Sequence, residues 1–270
     1  MTELQLFDSP GAEVAEITTN GNVIKPFLNA IAEVDSEAKI NVTEHGLECD
    51  LVDRTNVFMT SVFLSGDAFE EYQVSQEQKI GVPIKELQKT VRRARKNHDD
   101  QLTLSIQERE LTATVARGYE NHDVVSQGTM KLIDPDSIRE EPEVPDLEHS
   151  ISVSVDYEPF TDAVGYALGA ADHISLAVKG VNQHTNALYI GSETDTRDES
   201  AAITNIESDA TAESLYSADY VGDIVNGIDS INPSSVDIRF DDEFPVFFDV
   251  EREVIPMQAQ YVMAPRVRSE

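Results

Sequence analysis

Two stretches of this sequence repeat one pattern of apolar and polar residues at an almost constant spacing, so its fold has to accommodate two copies of one unit. Ile40-Asn41-Val42 runs into Gly46, and Ile174-Ser175-Leu176 runs into Gly180, 134 residues later. Leu102-Thr103-Leu104-Ser105-Ile106 meets Val236-Asp237-Ile238-Arg239-Phe240 at the same distance. Helical positions keep it too: Leu87, Val91 and Ala94 map onto Val221, Val225 and Ile228, while Phe27, Ala30 and Ile31 map onto Phe160, Ala163 and Val164 with a one-residue slip. One match would be weak; agreement at both ends and in the middle points to a duplication.

Each copy reads as a short strand, a helix, a run of strands, a second helix and further strands. In the first copy the 3.6-residue period predicts helices over 22–34 and 83–97, with Pro83 at a first turn where its missing N–H costs nothing. Strict alternation predicts strands over 39–42, 47–52, 58–64, 102–106, 110–116 and 128–133. The second copy places helices over 157–169 and 218–230. Between the copies, 135–150 is rich in proline and acid and has neither period, the composition of an extended connector. The expected organisation is an α+β chain of two similar domains, 1–134 and 151–270, joined by 135–150.

Charge is the next constraint. Against 51 acidic residues stand 20 basic ones, a net charge of −31. The acids are interspersed with regular apolar alternation, which argues against a disordered acidic tail. A surface adapted to molar salt, where the Debye length falls to about 3 Å, is the expectation. Cys49 is the only cysteine, which excludes an internal disulfide and a cysteine-rich metal site. No apolar run of membrane-spanning length and no basic-then-apolar leader is present, so a cytoplasmic protein is expected, prokaryotic or made in an infected host cell.

Within this acidic chain one segment is basic. At about 100° per residue, Ile84, Leu87, Val91 and Ala94 share one helical stripe, and Lys85, Lys89, Arg92 and Lys96 share the opposite one, flanked by Arg93 and Arg95. A solvated helix face remains the plain alternative. Six cations in one helix of a chain that otherwise shuns them fit a surface that tracks phosphates without reading bases. At the 134-residue spacing the same positions are Asp219, Asp223, Asn226 and Ser230. Glu158 and Asp162 likewise leave the other second-copy helix without a cation, while the first helix offers Lys25.

Enzymatic readings find little support. Asp99-Asp100, Glu140-Glu141 and Asp241-Asp242 could be imagined as metal ligands or acid–base pairs, but adjacent acids arise by chance at this composition. No phosphate-cradling glycine loop or nucleophile elbow occurs, and the six histidines lack ligand spacing. Neither a catalytic residue, a metal nor a cofactor is expected.

Several motifs resemble those of the proliferating cell nuclear antigen family of DNA sliding clamps, of the archaeal, haloarchaeal or archaeal-virus type. They are Lys39-Ile40-Asn41-Val42-Thr43-Glu44-His45-Gly46-Leu47-Glu48, Val52-Asp53-Arg54-Thr55-Asn56-Val57, and Asp67-Ala68-Phe69-Glu70-Glu71-Tyr72. Ile80-Gly81-Val82-Pro83-Ile84-Lys85-Glu86-Leu87 is similar to the family segment opening the second inner helix. Met130-Lys131-Leu132-Ile133-Asp134 resembles the start of the family connector, and Tyr261-Val262-Met263-Ala264-Pro265-Arg266-Val267 the family terminus.

The resemblance implies a duplicated clamp fold, each domain with inner helices and an outer antiparallel sheet, and a homotrimeric ring around duplex DNA that serves as polymerase processivity factor and replication and repair platform. Its partners would be DNA polymerase, a clamp loader, and a nuclease or ligase, without a membrane. Lys25, Lys85, Lys89, Arg92, Arg93 and Lys96 would face DNA. Partner peptides of the form Q-x-x-aliphatic-x-x-aromatic-aromatic would dock against Val57, Ile138, Pro142, Pro245, Ala264 and Pro265. Ring closure would pair Leu111, Thr112, Ala113, Thr114 and Val115 with Ala201, Ala202, Ile203 and Thr204 of the next subunit. The acidic second-copy helices depart from the family pattern. They leave open a divergent, decoy or heteromeric scaffold of the same fold that does not encircle DNA by itself.

Overall fold

The structure, a computed structural model, describes residues 11–95, 100–119, 123–140, 147–169, 172–182, 185–193, 198–206, 208 and 210–266. The first half contains β1 (Glu13–Asn20), α1 (Gly21–Ala32), β2 (Glu37–Thr43), β3 (Gly46–Val52), β4 (Phe58–Ser65), β5 (Glu71–Val74), β6 (Gln78–Pro83), α2 (Ile84–Val91), β7 (Gln101–Gln107), β8 (Glu110–Arg117) and β9 (Val124–Lys131). The second half contains β10 (Ile151–Asp156), α3 (Tyr157–Ala167), β11 (His173–Asn182), β12 (Thr185–Glu193), β13 (Asp198–Ile206), β14 (Ala212–Ser217), α4 (Ala218–Ile231), β15 (Ser235–Phe240), β16 (Val246–Arg252) and β17 (Met257–Met263). This is an α+β architecture with antiparallel pairing at every described register.

Period-2 alternation builds the strands. In β7 the even residues Leu102, Leu104 and Ile106 are buried, and in β10 Ile151, Val153 and Val155. Helices bury one stripe each: Ile84, Leu87 and Val91 in α2, and Val221, Ile224, Ile228 and Ile231 in α4. Left-handed residues sit where turns demand them. Asn56 at φ 60° closes the β3–β4 turn, and Asn232 at φ 55° stops α4, with its N–H on the Ile228 carbonyl at 3.0 Å.

Strand pairing repeats with the sequence. The series β1-β7-β8-β9 recurs as β10-β15-β16-β17, and β6-β2-β3 recurs as β14-β11-β12, to which β13 adds on the far side of β12. Packing does not divide the chain at one point, however. One compact unit holds residues 1–25, 36–48 and 65–139; the other holds 26–35, 49–64 and 140–270. Strand β4, the first-copy counterpart of β13, therefore belongs to the second unit. There it pairs with β17 from Met257↔Leu64 to Met263↔Phe58. In the same unit Phe160 packs on Phe248 at a ring separation of 5.8 Å, and Phe58 lies against Tyr220 and Tyr261.

Boundaries differ from the sequence reading in two informative places. The helix expected over 83–97 ends at Val91. Arg93 N–H and Ala94 N–H then bond the Thr90 and Val91 carbonyls at 3.1 Å, tightening the last turn, and Arg95 N–H turns to the Asp100 carboxylate instead. The strand expected over 128–133 runs from Val124 to Lys131. At the start of the connector, Pro135–Ser137 forms a single 3-10 turn capped by the Asp134 carboxylate.

Candidate functional site

Basic side chains come first. Lys85, Arg92 and Arg93 are exposed on and just beyond α2, opposite its buried stripe. Lys89 is exposed but ion-paired with Glu86 at 2.5 Å. Lys25 is committed: its Nζ donates to the Ala94 carbonyl. Lys96 lies outside the described residues. Arg95, which the periodicity set beside this stripe, turns away from it. Its backbone N–H, Nε and Nη2 donate to the Asp100 carboxylate at 2.7, 3.0 and 2.6 Å, and Tyr119 stacks on its guanidinium at 4.7 Å. The Arg95 hydrogen bonds hold the Asp100 carboxyl at a pKa of about 2 despite its burial. This buried ion pair ends the basic segment and leaves Arg92 and Arg93 at its tip.

Helix α4 bears the opposite sign at the equivalent positions. Asp219 and Asn226 are exposed and Asp223 is half-buried. Burial, with Asp219 one turn away, pushes the Asp223 carboxyl above the ordinary carboxylate range.

At one end of the β16-β17-β4 series three of the expected groove residues converge. Val246 pairs with Met263 and Met263 with Phe58. Pro245, Ala264 and Val57 are the next residue along each of these adjacent strands. The Ala264 N–H donates to the Val57 carbonyl at 2.9 Å, and Arg266 N–H to the Leu215 carbonyl at 2.7 Å, which fixes Pro265 between them. All four side chains are partly exposed. In the other unit Ile138 packs over Gly81, where any Cβ would approach its Cδ1 to 3.0 Å; Pro142 lies outside the described residues.

Behind Val57 stands a polar cluster that periodicity does not reveal. Asp53 is 7% exposed. Its Oδ1 accepts the Val57 and Phe58 N–H groups at 2.8 and 2.9 Å. Its Oδ2 accepts Thr55 N–H at 2.9 Å and the Tyr220 hydroxyl at 3.0 Å, and the Thr55 and Tyr220 hydroxyls are 2.7 Å apart. Burial alone would push the carboxyl up; the Thr55, Phe58 and Val57 hydrogen bonds outweigh it and hold the group below its ordinary range. An Asp two residues before a Thr and three before an Asn is the signal that sequence offered for this turn.

For the expected subunit contacts the structure separates the two strands. Ala201, Ala202, Ile203 and Thr204 lie on β13, which among the described residues pairs only with β12 and keeps a free edge. Leu111, Thr112, Ala113, Thr114 and Val115 do not lie on an edge: β8 is hydrogen-bonded to β7 on one side and β9 on the other. That sheet ends in β5 on one side and in β9 on the other, and on β9, the neighbour of β8, Val124 and Val125 are 46% and 64% exposed. Alternation had identified both strands but carries no information on which is outermost.

With this geometry in place, comparisons decide the family. Residues 15–140 match the model for the proliferating cell nuclear antigen N-terminal domain. The DNA polymerase sliding clamp of Haloarcula marismortui is 30% identical over 255 residues, covering 93% of this chain and 98% of that protein. The clamp of Halobacterium salinarum strain R1 is 31% identical over 254 residues, with 93% and 97% covered.

The chain belongs to the DNA polymerase sliding clamp family.

Solved structures agree on the sliding-clamp fold. The A. fulgidus PCNA, in a structure with the C-terminal region of FEN-1 bound, superposes with a TM-score of 0.80 at 24% identity, covering 95% of this chain and all of that one. The Thermococcus kodakaraensis PCNA gives 0.76 at 21% identity, with 93% and 100% covered. Among the described residues, no helix is long and apolar enough to cross a membrane and no acidic, His or Cys cluster is built to hold a metal.

Proposed function

We propose that this clamp-family protein is a DNA polymerase processivity factor that closes as a homotrimeric ring around duplex DNA, docks replication and repair enzymes, and performs no chemistry itself. Residues 1–134 and 151–270 act as the two clamp domains and 135–150 as their connector. One observation carries the reading: the duplicated strand scheme satisfies one junction within the chain and leaves its counterpart open. β17 pairs with β4, whereas β9 and β13, their counterparts by strand order, each keep a free edge. An element with two different complementary edges associates head to tail, and such contacts either close into a ring or run on as a filament. The family of the chain selects the ring.

Lys85, Lys89, Arg92 and Arg93 line the duplex in this reading. Lys25 supports the stripe from behind by binding the Ala94 carbonyl. The converging residues Val57, Pro245, Ala264 and Pro265 form the docking groove for a partner's aliphatic and aromatic side chains. Polymerase, loader, nuclease and ligase are the partner classes, and the site of action is inside the cell. The acidic surface and the haloarchaeal relatives suit a ring that works in molar salt.

Light scattering coupled to gel filtration, at low and at molar KCl, tests assembly. Retention on circular duplex DNA that is lost when the circle is cut then tests encirclement. A trimer mass at high salt with linearisation-sensitive retention is expected. A monomer at both salts, with the fold intact, would refute self-closure and point to a heteromeric ring.

A further inference from the structure

The groove wall at Val57 is fixed from two directions. Its N–H is held by Asp53 Oδ1 at 2.8 Å, and its carbonyl accepts the Ala264 N–H at 2.9 Å. The turn that carries it contains a left-handed residue, Asn56 at φ 60°, and two backbone bonds close it, Asp53 N–H to the Phe58 carbonyl at 2.8 Å and Asn56 N–H to the Asp53 carbonyl at 3.2 Å. To these the Asp53 carboxylate adds three more, accepting the backbone N–H groups of Thr55, Val57 and Phe58. Beyond the turn it accepts the hydroxyl of Tyr220, in the first turn of α4. That hydroxyl also meets Thr55 Oγ1, so the helix grips the turn at two points 2.7 and 3.0 Å away. The adjacent side chains on α4, Asp219 and Asp223, are those that take the place of the basic stripe in the second copy. A displacement of this turn of α4 therefore reaches Val57 through Tyr220 and the Asp53 carboxylate.

We propose that Asp53 and Tyr220 are positioning residues for the partner-docking groove, transmitting the placement of the first turn of α4 to Val57 and so to the affinity for partner peptides. The proposal rests on the groove reading above. Neither residue needs to touch the peptide. A binding site loses affinity when its supporting shell loosens, because the peptide then has to order the wall as it binds.

The test measures anisotropy of a fluorescein-labelled peptide of the form Gln-x-x-aliphatic-x-x-aromatic-aromatic, titrated with the full-length protein in molar KCl well below each variant's melting temperature. Tyr220→Phe keeps the ring against Phe58 and removes only the hydroxyl. It should weaken Kd by about tenfold, the size of one hydrogen bond to a charged group. Thr55→Val should also weaken binding, and Thr55→Ser, which keeps the hydroxyl, should restore it. The double variant Asp53→Asn with Tyr220→Phe should lose less than the product of the two single losses, since both remove one shared contact. Ala264→Arg, placed in the groove itself, should abolish binding. Unchanged affinity in Tyr220→Phe, or losses that multiply independently in the double variant, would overturn the positioning role while leaving the groove standing. Unchanged affinity in Ala264→Arg would overturn the groove and the proposal together.

Discussion

Replacing Asp100 with alanine perturbs both the stability of the chain and the shape of its basic surface. The carboxylate is 1% exposed and accepts three donors from Arg95 at 2.6–3.0 Å. Asp100→Ala strips these bonds, and part of the Arg95 guanidinium and its amide are left without a partner. A hydrogen bond to a charged group contributes about 1.5–3 kcal/mol, and breaking a buried pair costs about 3–5 kcal/mol. Because Arg95 is partly exposed and regains water, we take the lower bound, about 3 kcal/mol, which corresponds to a fall in Tm of roughly 6–12 °C for a chain of this size. Circular dichroism melts in molar KCl at pH 7 measure it, and salt should change the difference little because the Asp100 carboxylate is buried and in direct contact with the guanidinium. The pH dependence gives a second check. The folded-state pKa of about 2 lies below the ordinary 3.8, so the stabilisation is fully present well above pH 3.8 and is lost as pH falls through 3.8 towards 2. Asp100→Asn cannot titrate, so its deficit against the parent should shrink between pH 5 and pH 2. A Tm for Asp100→Ala within 2 °C of the parent, or a constant Asn deficit across that range, would refute the pair as the device that ends α2.

Two further outcomes follow from the edges and the basic tip. Val125→Lys places a charge on the free edge of β9 and should convert the trimer mass at molar KCl to that of a monomer with unchanged far-UV circular dichroism; a retained trimer would remove β9 from the interface. The triple variant Lys85→Glu, Arg92→Glu, Arg93→Glu should retain its trimer mass yet flatten the salt dependence of duplex binding, by about one in log–log slope for each phosphate that is no longer neutralised; an unchanged slope would mean that these side chains are a solvated face.

How much of this was legible in the sequence depends on the range of the interaction. Ile84, Leu87, Val91 and Ala94 are all buried as the helical period requires, and the duplication predicted the repeated succession of strands and helices. The end of α2 was not legible, because the residue that decides it, Asp100, reaches back five positions to Arg95 and breaks the period from outside. Strand order is a still longer-range property: β8 and β9 alternate alike, and only pairing shows that Leu111–Val115 face β7 and β9 rather than a neighbour. The Asp53–Tyr220 contact spans 167 residues, and no local pattern encodes it. Val57, Pro245, Ala264 and Pro265 could be brought together beforehand only through family resemblance, and register now gives the physical reason.

The opposite signs of α2 and α4 bear on how such a clamp holds DNA. A protein making 6–10 phosphate contacts loses about a thousand- to a hundred-thousand-fold in affinity between 50 and 200 mM salt. At molar salt the electrostatic contribution of even a fully basic channel would therefore be small, and replacing half of it with Asp219, Asp223 and Asn226 sacrifices little. The acids also cost less there, since repulsion between separated carboxylates and phosphates is screened beyond about 3 Å at 1 M. In the proposed ring, retention then has to come from topology, through β9–β13 closures, rather than from cations. The triple variant should consequently be impaired on circular DNA at low salt and nearly indistinguishable from the parent at molar KCl, whereas Val125→Lys should fail at both.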